Sequence, residues 1–156
     1  MNAMRVTSVP AHASPARTGF GTLDVCHSQI LAMLDELSAL VLRLEVAGPT
    51  RDARARAARI AEFFSTTARR HHEDEERYLF PALLASGRGE VVRAVLRLQQ
   101  DHDGLEEGWF DLAPHVLAVA GGRPGWDIDV LRDGVPALAA LYRDHIELEE
   151  SVLDLS

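Results

Sequence analysis

Four stretches of the chain carry apolar residues at the three- and four-residue spacing of amphipathic helices, and this pattern restricts the fold more than any other feature. They cover residues 30–44, 60–82, 91–112 and 138–155, and segments containing Gly or Pro at 48–49, 86–87 and 121–125 separate them. Helices joined by short loops pack antiparallel with their neighbours. The sequence therefore predicts an all-α fold, an antiparallel up-down-up-down four-helix bundle.

The remaining sequence predicts one domain with an N-terminal extension. A chain of 156 residues that is 47% hydrophobic has enough apolar surface for one core. Residues 1–20 are rich in Ala, Ser, Pro and Gly without periodicity, which predicts a flexible arm, and residues 21–156 are assigned to the bundle. Three prolines, Pro81, Pro114 and Pro136, lie in helical patterns, and each predicts a kink or a helix end.

Charge and composition exclude several partners. The formal net charge of -8 argues against nucleic acid and against an anionic membrane surface, because both require a positive surface. The sequence has no apolar run long enough to span a bilayer and no apolar stretch typical of a secretory signal. A single cysteine, Cys26, excludes an internal disulfide, so we expect a cytoplasmic protein.

Each predicted helix carries one histidine in a gap of its apolar pattern. These residues are His27, His71, His102 and His145. The midpoint between each consecutive pair falls inside one of the three loop segments, so the two arms on either side of each loop are equally long. In an antiparallel bundle, the four imidazoles should therefore lie in one layer.

Two glutamates share the histidine faces, since Glu75 follows His71 by four residues and Glu149 follows His145 by four. Four imidazoles and two carboxylates buried together without partners would be strongly destabilising, and a cation removes this problem. Mixed nitrogen and oxygen donors favour iron, manganese or zinc over Ca²⁺ or Mg²⁺. Carboxylates from facing helices can bridge two ions, so we expect a two-metal site.

The order His27, His71-x-x-x-Glu75, His102, His145-x-x-x-Glu149 resembles the hemerythrin-like, or HHE cation-binding, domain, and the stretch HHEDEERYLFP resembles its second-helix motif. The resemblance covers about residues 20–155. It implies a four-helix bundle around two non-haem iron ions with an oxo or hydroxo bridge, for which zinc or manganese can substitute. The four histidines would be terminal ligands and the two glutamates bridging ligands.

Two features depart from the oxygen-carrying hemerythrins. Those proteins have His-x-x-x-His on the third helix where this chain has His102 and Glu106, and a longer His-to-Asp spacing on the fourth helix where this chain has His145-x-x-x-Glu149. Glu106 is either an additional ligand or a surface carboxylate. A missing fifth imidazole with Glu106 in its place would make the site more anionic and favour ferric iron over reversible O2 carriage. The pattern is similar to bacterial variants associated with peroxide breakdown or with sensing of oxygen, nitric oxide, iron or redox state.

Several other residues could lie near the centre. His72 is expected at the rim or behind the ligands, because the pattern through Phe64, Thr67 and Tyr78 favours His71 as the inward residue. Tyr142 could reach the site from one turn before His145, although core packing also explains it. Of the remaining histidines and the thiol, His12 is expected in solvent, His115 in a structural or solvated position, and Cys26 pointing away from His27.

The leading functional hypothesis is a centre that binds or reacts with O2, peroxide or nitric oxide. The alternatives are a non-enzymatic iron- or redox-sensing module that docks to an unidentified protein, and a structural zinc or mixed-metal site. No side-chain nucleophile or acid–base pair is predicted as catalytic. Any catalase-like or peroxidatic reaction would depend on the metal pair.

Overall fold

The structure is a computed structural model that describes residues 15–156, with side chains from residue 25 onward. Its four helices are α1 (Pro15–Ala47), α2 (residues 51–84), α3 (Gly89–Ala120) and α4 (Ile128–Leu155), and residues 15–156 contain no strand. Helix α1 begins within the predicted arm, and His12 lies outside the described residues. The all-α bundle predicted from the sequence is confirmed.

Each helix packs against two neighbours, in the order α1–α2, α2–α3, α3–α4 and α4–α1, which closes the bundle. The loops fall where the glycine and proline segments predicted them. Gly48 has a φ of 70°, a left-handed conformation that ends α1 after Ala47. The Thr50 side chain then accepts a hydrogen bond from the backbone N–H of Ala53 at 3.1 Å and caps the start of α2.

Helix α2 contains two π turns, Phe63–Thr67 and Glu75–Leu79. The second π turn lies just before Pro81, whose ring would clash with the carbonyl of residue 77 in a regular helix. Each π turn adds a residue, so the buried positions shift. The predicted apolar pattern is correct at Ile60 and Phe64 and wrong after them, because Thr67, Tyr78 and Ala82 are exposed. From the first π turn onward, the buried positions are Phe64, Ala68, His71, His72, Glu75, Phe80 and Leu83.

Pro114 and Pro136 lie inside α3 and α4, and neither ends its helix. Both residues are exposed, as are Phe110 and Arg132 one turn before them. The carbonyls that lose a hydrogen bond at each proline therefore face solvent, where water can satisfy them.

Two hydrophobic clusters fill the bundle on either side of the histidine layer. The larger cluster includes Leu34, Leu37, Trp109 and Leu138. The smaller one consists of Phe80, Leu83, Val91, Val95, Leu98 and Val152. The layer is thus closed off by apolar side chains toward both ends of the bundle. None of the helices in the described part of the chain is long and apolar enough to cross a membrane.

Candidate metal centre

The four helices bring seven titratable side chains into one buried layer. Their nitrogen and oxygen atoms form two donor groups, each with its atoms within 4.8 Å of one another. The first donor group contains His27, His71, Glu75 and Glu149. The second donor group contains His72, His102 and His145. All seven residues are buried, and both glutamates are 0% exposed.

Glu75 lies between the two donor groups and faces each with a different oxygen. Its Oε1 contacts Nε2 of His71 and lies 3.8 Å from Nε2 of His27. Its Oε2 accepts a hydrogen bond from Nε2 of His102 at 2.8 Å and lies 3.8 Å from Nε2 of His145. One carboxylate is therefore placed to interact with an ion in either group.

Glu149 occupies the opposite side of the layer. Its Oε2 lies 3.2 Å from Nε2 of His27 and 3.7 Å from Nε2 of His145. The layer has a pseudo-twofold arrangement, because His71 with Glu75 and His145 with Glu149 enter it from α2 and α4 with the same four-residue spacing.

The protonation of the metal-free cluster follows from these contacts. Burial alone would lower the pKa of His27, but Glu149 and Glu75 raise it to about 10. Burial would also lower the pKa of His71, but Cys26 and Glu75 raise it to about 9. The surrounding histidines overcome the effect of burial on Glu75 and hold its pKa far below the usual range. Burial, together with the negative charge of Glu75, raises the pKa of Glu149.

His72 has the opposite electrostatic environment. Burial and the neighbouring His102 lower the pKa of His72 to about 3. Its ring stacks on that of His102 at a centroid distance of 4.3 Å. The imidazole is therefore neutral at pH 7 and has a ring nitrogen available to a metal.

Many of the buried polar atoms have short contacts without the angles of hydrogen bonds. Both nitrogens of His27, His72 and His145, both oxygens of Glu149, Nε2 of His71 and Oε1 of Glu75 have no hydrogen-bond partner. Native proteins rarely leave so many buried polar atoms unpaired. Cations placed between these atoms would satisfy them, and the nitrogen-rich donor set suits a transition metal. The residues present therefore fit the implied metal.

The rim position predicted for His72 is wrong. This residue is 3% exposed, and its ring lies beside those of His102 and His145. The sequence interpretation failed because it extended a regular helix through α2. The five-residue gap between the buried residues Glu75 and Phe80, which does not fit α-helical spacing, and the nearby Pro81 were the signals that could have revealed the shift.

The structure does not bring Glu106 into either donor group. Glu106 is exposed and lines a cavity of about 320 Å³ that reaches His72. The aromatic rings of Phe64, Trp109 and Tyr142 form part of its wall. Tyr142 is 2% exposed, and its ring stacks on His72 at 5.8 Å. Burial and the nearby negative charges raise the pKa of Tyr142, so its hydroxyl keeps its proton.

The other singled-out residues have distinct positions. Cys26 is partly buried, and its side chain lies near enough to His71 to raise the pKa of that imidazole. His115 is structural, because its Nδ1 accepts a hydrogen bond from the backbone N–H of Asp127 at 2.9 Å in the last loop.

The fold and the donor groups define a metal-binding four-helix protein. The family described as the hemerythrin HHE cation binding domain matches residues 18–153, and the chain belongs to this family. The chain is 28% identical over 133 residues to a protein of Haemophilus influenzae described as uncharacterized. The match covers 85% of this chain and 75% of that protein. No solved structure matches the chain.

Proposed function

We propose that this protein holds a non-haem di-iron centre that binds or reacts with O2, peroxide or nitric oxide in the cytoplasm. The observation that carries the proposal is the pair of donor groups with Glu75 between them. A single ion would leave one of the groups unsatisfied, whereas paired metal sites in proteins use bridging carboxylates of this kind.

The proposed ligands of one iron are His27, His71, Glu75 and Glu149. The other iron would be held by His72, His102 and His145, with Glu75 as the shared ligand. Glu149 lies close enough to His145 to act as a second bridge. Bound iron would supply the redox chemistry, and the protein would fix the ligands and exclude bulk water.

This ligand set contains five imidazoles, because His72 from α2 supplies the imidazole that the third helix lacks. Glu106 lies outside both donor groups, so its charge is not added to the proposed centre. The expected preference for ferric iron depended on the negative charge of Glu106. Without that charge, the ligand set is compatible with both reversible O2 binding and peroxide chemistry.

The cavity at His72 provides the route by which a small molecule would reach the second donor group. Phe64, Leu105 and Trp109 make its wall largely apolar, which suits uncharged diatomic molecules and hydrogen peroxide. The protonated hydroxyl of Tyr142 can donate a hydrogen bond within this region. Arg69 and Glu106 also line the cavity and add charged groups to it.

Metal analysis and optical spectroscopy test the proposal. Protein loaded with ferrous iron under anaerobic conditions should contain about two iron ions per chain. Exposure to O2 or peroxide should then produce the charge-transfer absorption of a diferric pair, and nitric oxide added to the reduced protein should change its spectrum. A single tightly held zinc ion with no such absorption would contradict the di-iron proposal and favour a structural site.

The role of His72 can be separated from that of the other ligands. His72→Ala should weaken binding of one of the two ions at least tenfold, because it removes one of three imidazoles from the second donor group. The matched control is His115→Ala, which removes a histidine engaged only in the loop contact to Asp127. Titration with Co²⁺ measures both sites. Two unchanged binding steps in His72→Ala would show that this imidazole is not a ligand.

A further inference from the structure

The outer nitrogens of two histidines face carboxylates that the metal site does not use. Nε2 of His102 points to Glu75, while its Nδ1 donates a hydrogen bond to Oε1 of Glu76 at 2.8 Å. Similarly, Nε2 of His27 points to Glu149, while its Nδ1 lies 3.5 Å from Oε1 of Glu150. Each ring thus lies between an inner and an outer carboxylate, with a hydrogen bond to the outer one at His102 and a longer contact without hydrogen-bond geometry at His27.

These two contacts are related by an internal repeat of the chain, in which His27, His71 and Glu75 of the first half correspond to His102, His145 and Glu149 of the second. Glu76 directly follows Glu75 on α2, and Glu150 directly follows Glu149 on α4. His27 and His102 are the corresponding histidines of the two halves. The second glutamate of each pair crosses to the histidine of the other half, so α2 supports α3 and α4 supports α1. An accidental surface contact would have no reason to recur in both halves.

The histidines of these contacts are buried and the glutamates are half exposed, which favours a contact that orients the histidine ring. The histidine side chains are 3% exposed, whereas those of Glu76 and Glu150 are 50% and 55% exposed. The glutamates therefore keep part of their hydration and avoid the desolvation penalty of a fully buried charge. With Nδ1–H donated outward, displacement of the Nε2 proton by a metal ion would leave the lone pair of Nε2 facing the layer, and a carboxylate acceptor at Nδ1 increases the basicity of that nitrogen.

We propose that Glu76 and Glu150 are positioning residues of the metal centre, and that each fixes the ring orientation and the protonated nitrogen of a ligating histidine on a neighbouring helix. In both Glu-Glu pairs, the first residue faces the ions and the second holds a ligand in place. The inference rests on the ligand set proposed above but not on the reaction at the irons.

Asp101 also lies near the outer nitrogen of a histidine, His145, but at a greater distance. Oδ2 of Asp101 lies 3.7 Å from Nδ1 of His145, farther than either outer glutamate lies from its histidine, and its Oδ1 is already engaged as the acceptor of a hydrogen bond from Arg97 at 2.8 Å. Asp101 is therefore not included as a positioning residue.

The test compares Co²⁺ binding by the full-length protein with binding by Glu76→Ala, Glu150→Ala and Glu76→Gln. Cobalt replaces iron so that the result does not depend on iron chemistry, and its visible absorption reports ligand geometry. We expect the alanine variants to bind cobalt about 10- to 100-fold more weakly and with altered absorption. Glu76→Gln keeps a hydrogen-bond acceptor but loses the charge, so its affinity should be intermediate.

The control is Glu147→Gln, which removes the same charge from an exposed position on α4 and should leave cobalt affinity and absorption unchanged. The proposal is overturned if the alanine variants bind cobalt with the affinity and spectrum of the unmodified protein, or if Glu147→Gln weakens binding equally. A fall in melting temperature with unchanged binding would indicate a structural role only and would also overturn it. Failure of the unmodified protein to bind cobalt would refute the ligand set itself.

Discussion

Glu75→Ala should abolish high-affinity binding of both metal ions. Glu75 is the side chain that faces both donor groups, with Oε1 toward His27 and His71 and Oε2 toward His102 and His145. Removing an outer partner of a ligand commonly weakens metal binding 10- to 100-fold. The loss of a carboxylate shared by both ions should exceed the upper end of that range, and cobalt or iron titration followed by metal analysis measures it.

The same substitution should also destabilise the metal-free protein. Glu75 carries a buried negative charge beside His27, His71 and His102. It helps to raise the pKa of each of these histidines and balances the positive charge of their protonated rings. Removing one partner of a buried ion pair costs about 3–5 kcal/mol, which lowers the melting temperature by roughly 10 °C for a chain of this size. Thermal unfolding in the presence of a chelator measures this effect without interference from bound metal.

Two further variants make the Glu75 result interpretable. Glu75→Gln keeps the volume and removes the charge, so it should fold better than Glu75→Ala and still bind metal poorly. Glu73→Ala removes an exposed carboxylate two residues earlier on α2 and should change neither property strongly. Two tightly bound ions per chain in Glu75→Ala would contradict the shared-ligand arrangement.

Removing the metal from the native protein should lower its melting temperature by at least about 8 °C. A ligand present at a thousand times its dissociation constant stabilises the folded state by about 4 kcal/mol. For a chain of this length, each kcal/mol corresponds to roughly 2–4 °C. Differential scanning calorimetry with and without a chelator measures the shift, and the Glu75→Ala protein, which should bind no metal, is the control.

The stabilisation by metal should increase as the pH rises from about 6 to 9. In the metal-free protein, the pKa values of His27 and His71 are raised from 6.5 to about 10 and about 9. Their protons therefore stabilise the metal-free fold fully below pH 6.5, and this contribution is lost as the pH rises through those values. Metal binding displaces the same protons and becomes easier over the same range. A melting-temperature difference that shrinks with rising pH would contradict this assignment.

The sequence was sufficient to predict the helices and the layer because both depend on simple periodicities. The helices end at Gly48 and at the loop segments 86–87 and 121–125, where the clustered glycine and proline residues predicted loops. The placement of His27, His102 and His145 followed from equal arm lengths around those loops, which needs only the rise per residue of an α-helix.

Residues after Phe64 on α2 could be placed only in part, since His71 and Glu75 are buried but three of their neighbours in the sequence lie elsewhere than expected. Regular helical spacing assigns Thr67 and Tyr78 to the core and His72 to the rim, whereas the π turns expose the first two and bury the third. A π turn changes the facing of every residue after it, and residue propensities do not predict one, so the only signs in the sequence were the irregular spacing near Glu75 and the presence of Pro81. The positioning roles proposed for Glu76 and Glu150 could not be predicted from the sequence either, because each involves a histidine on another helix.

Because of the two π turns, the number of residues in α2 determines which side chains face the metal centre and which face the hydrophobic cluster beyond it. A deletion of one residue within Glu75–Leu79 would restore a regular helix and rotate the following segment by about 100° relative to His71 and His72. Phe80 and Leu83 would then leave the smaller hydrophobic cluster, although no ligand had been changed. The helix therefore carries two independently phased surfaces, one that binds metal and one that closes the end of the bundle, and the π turn lets a single helix serve both.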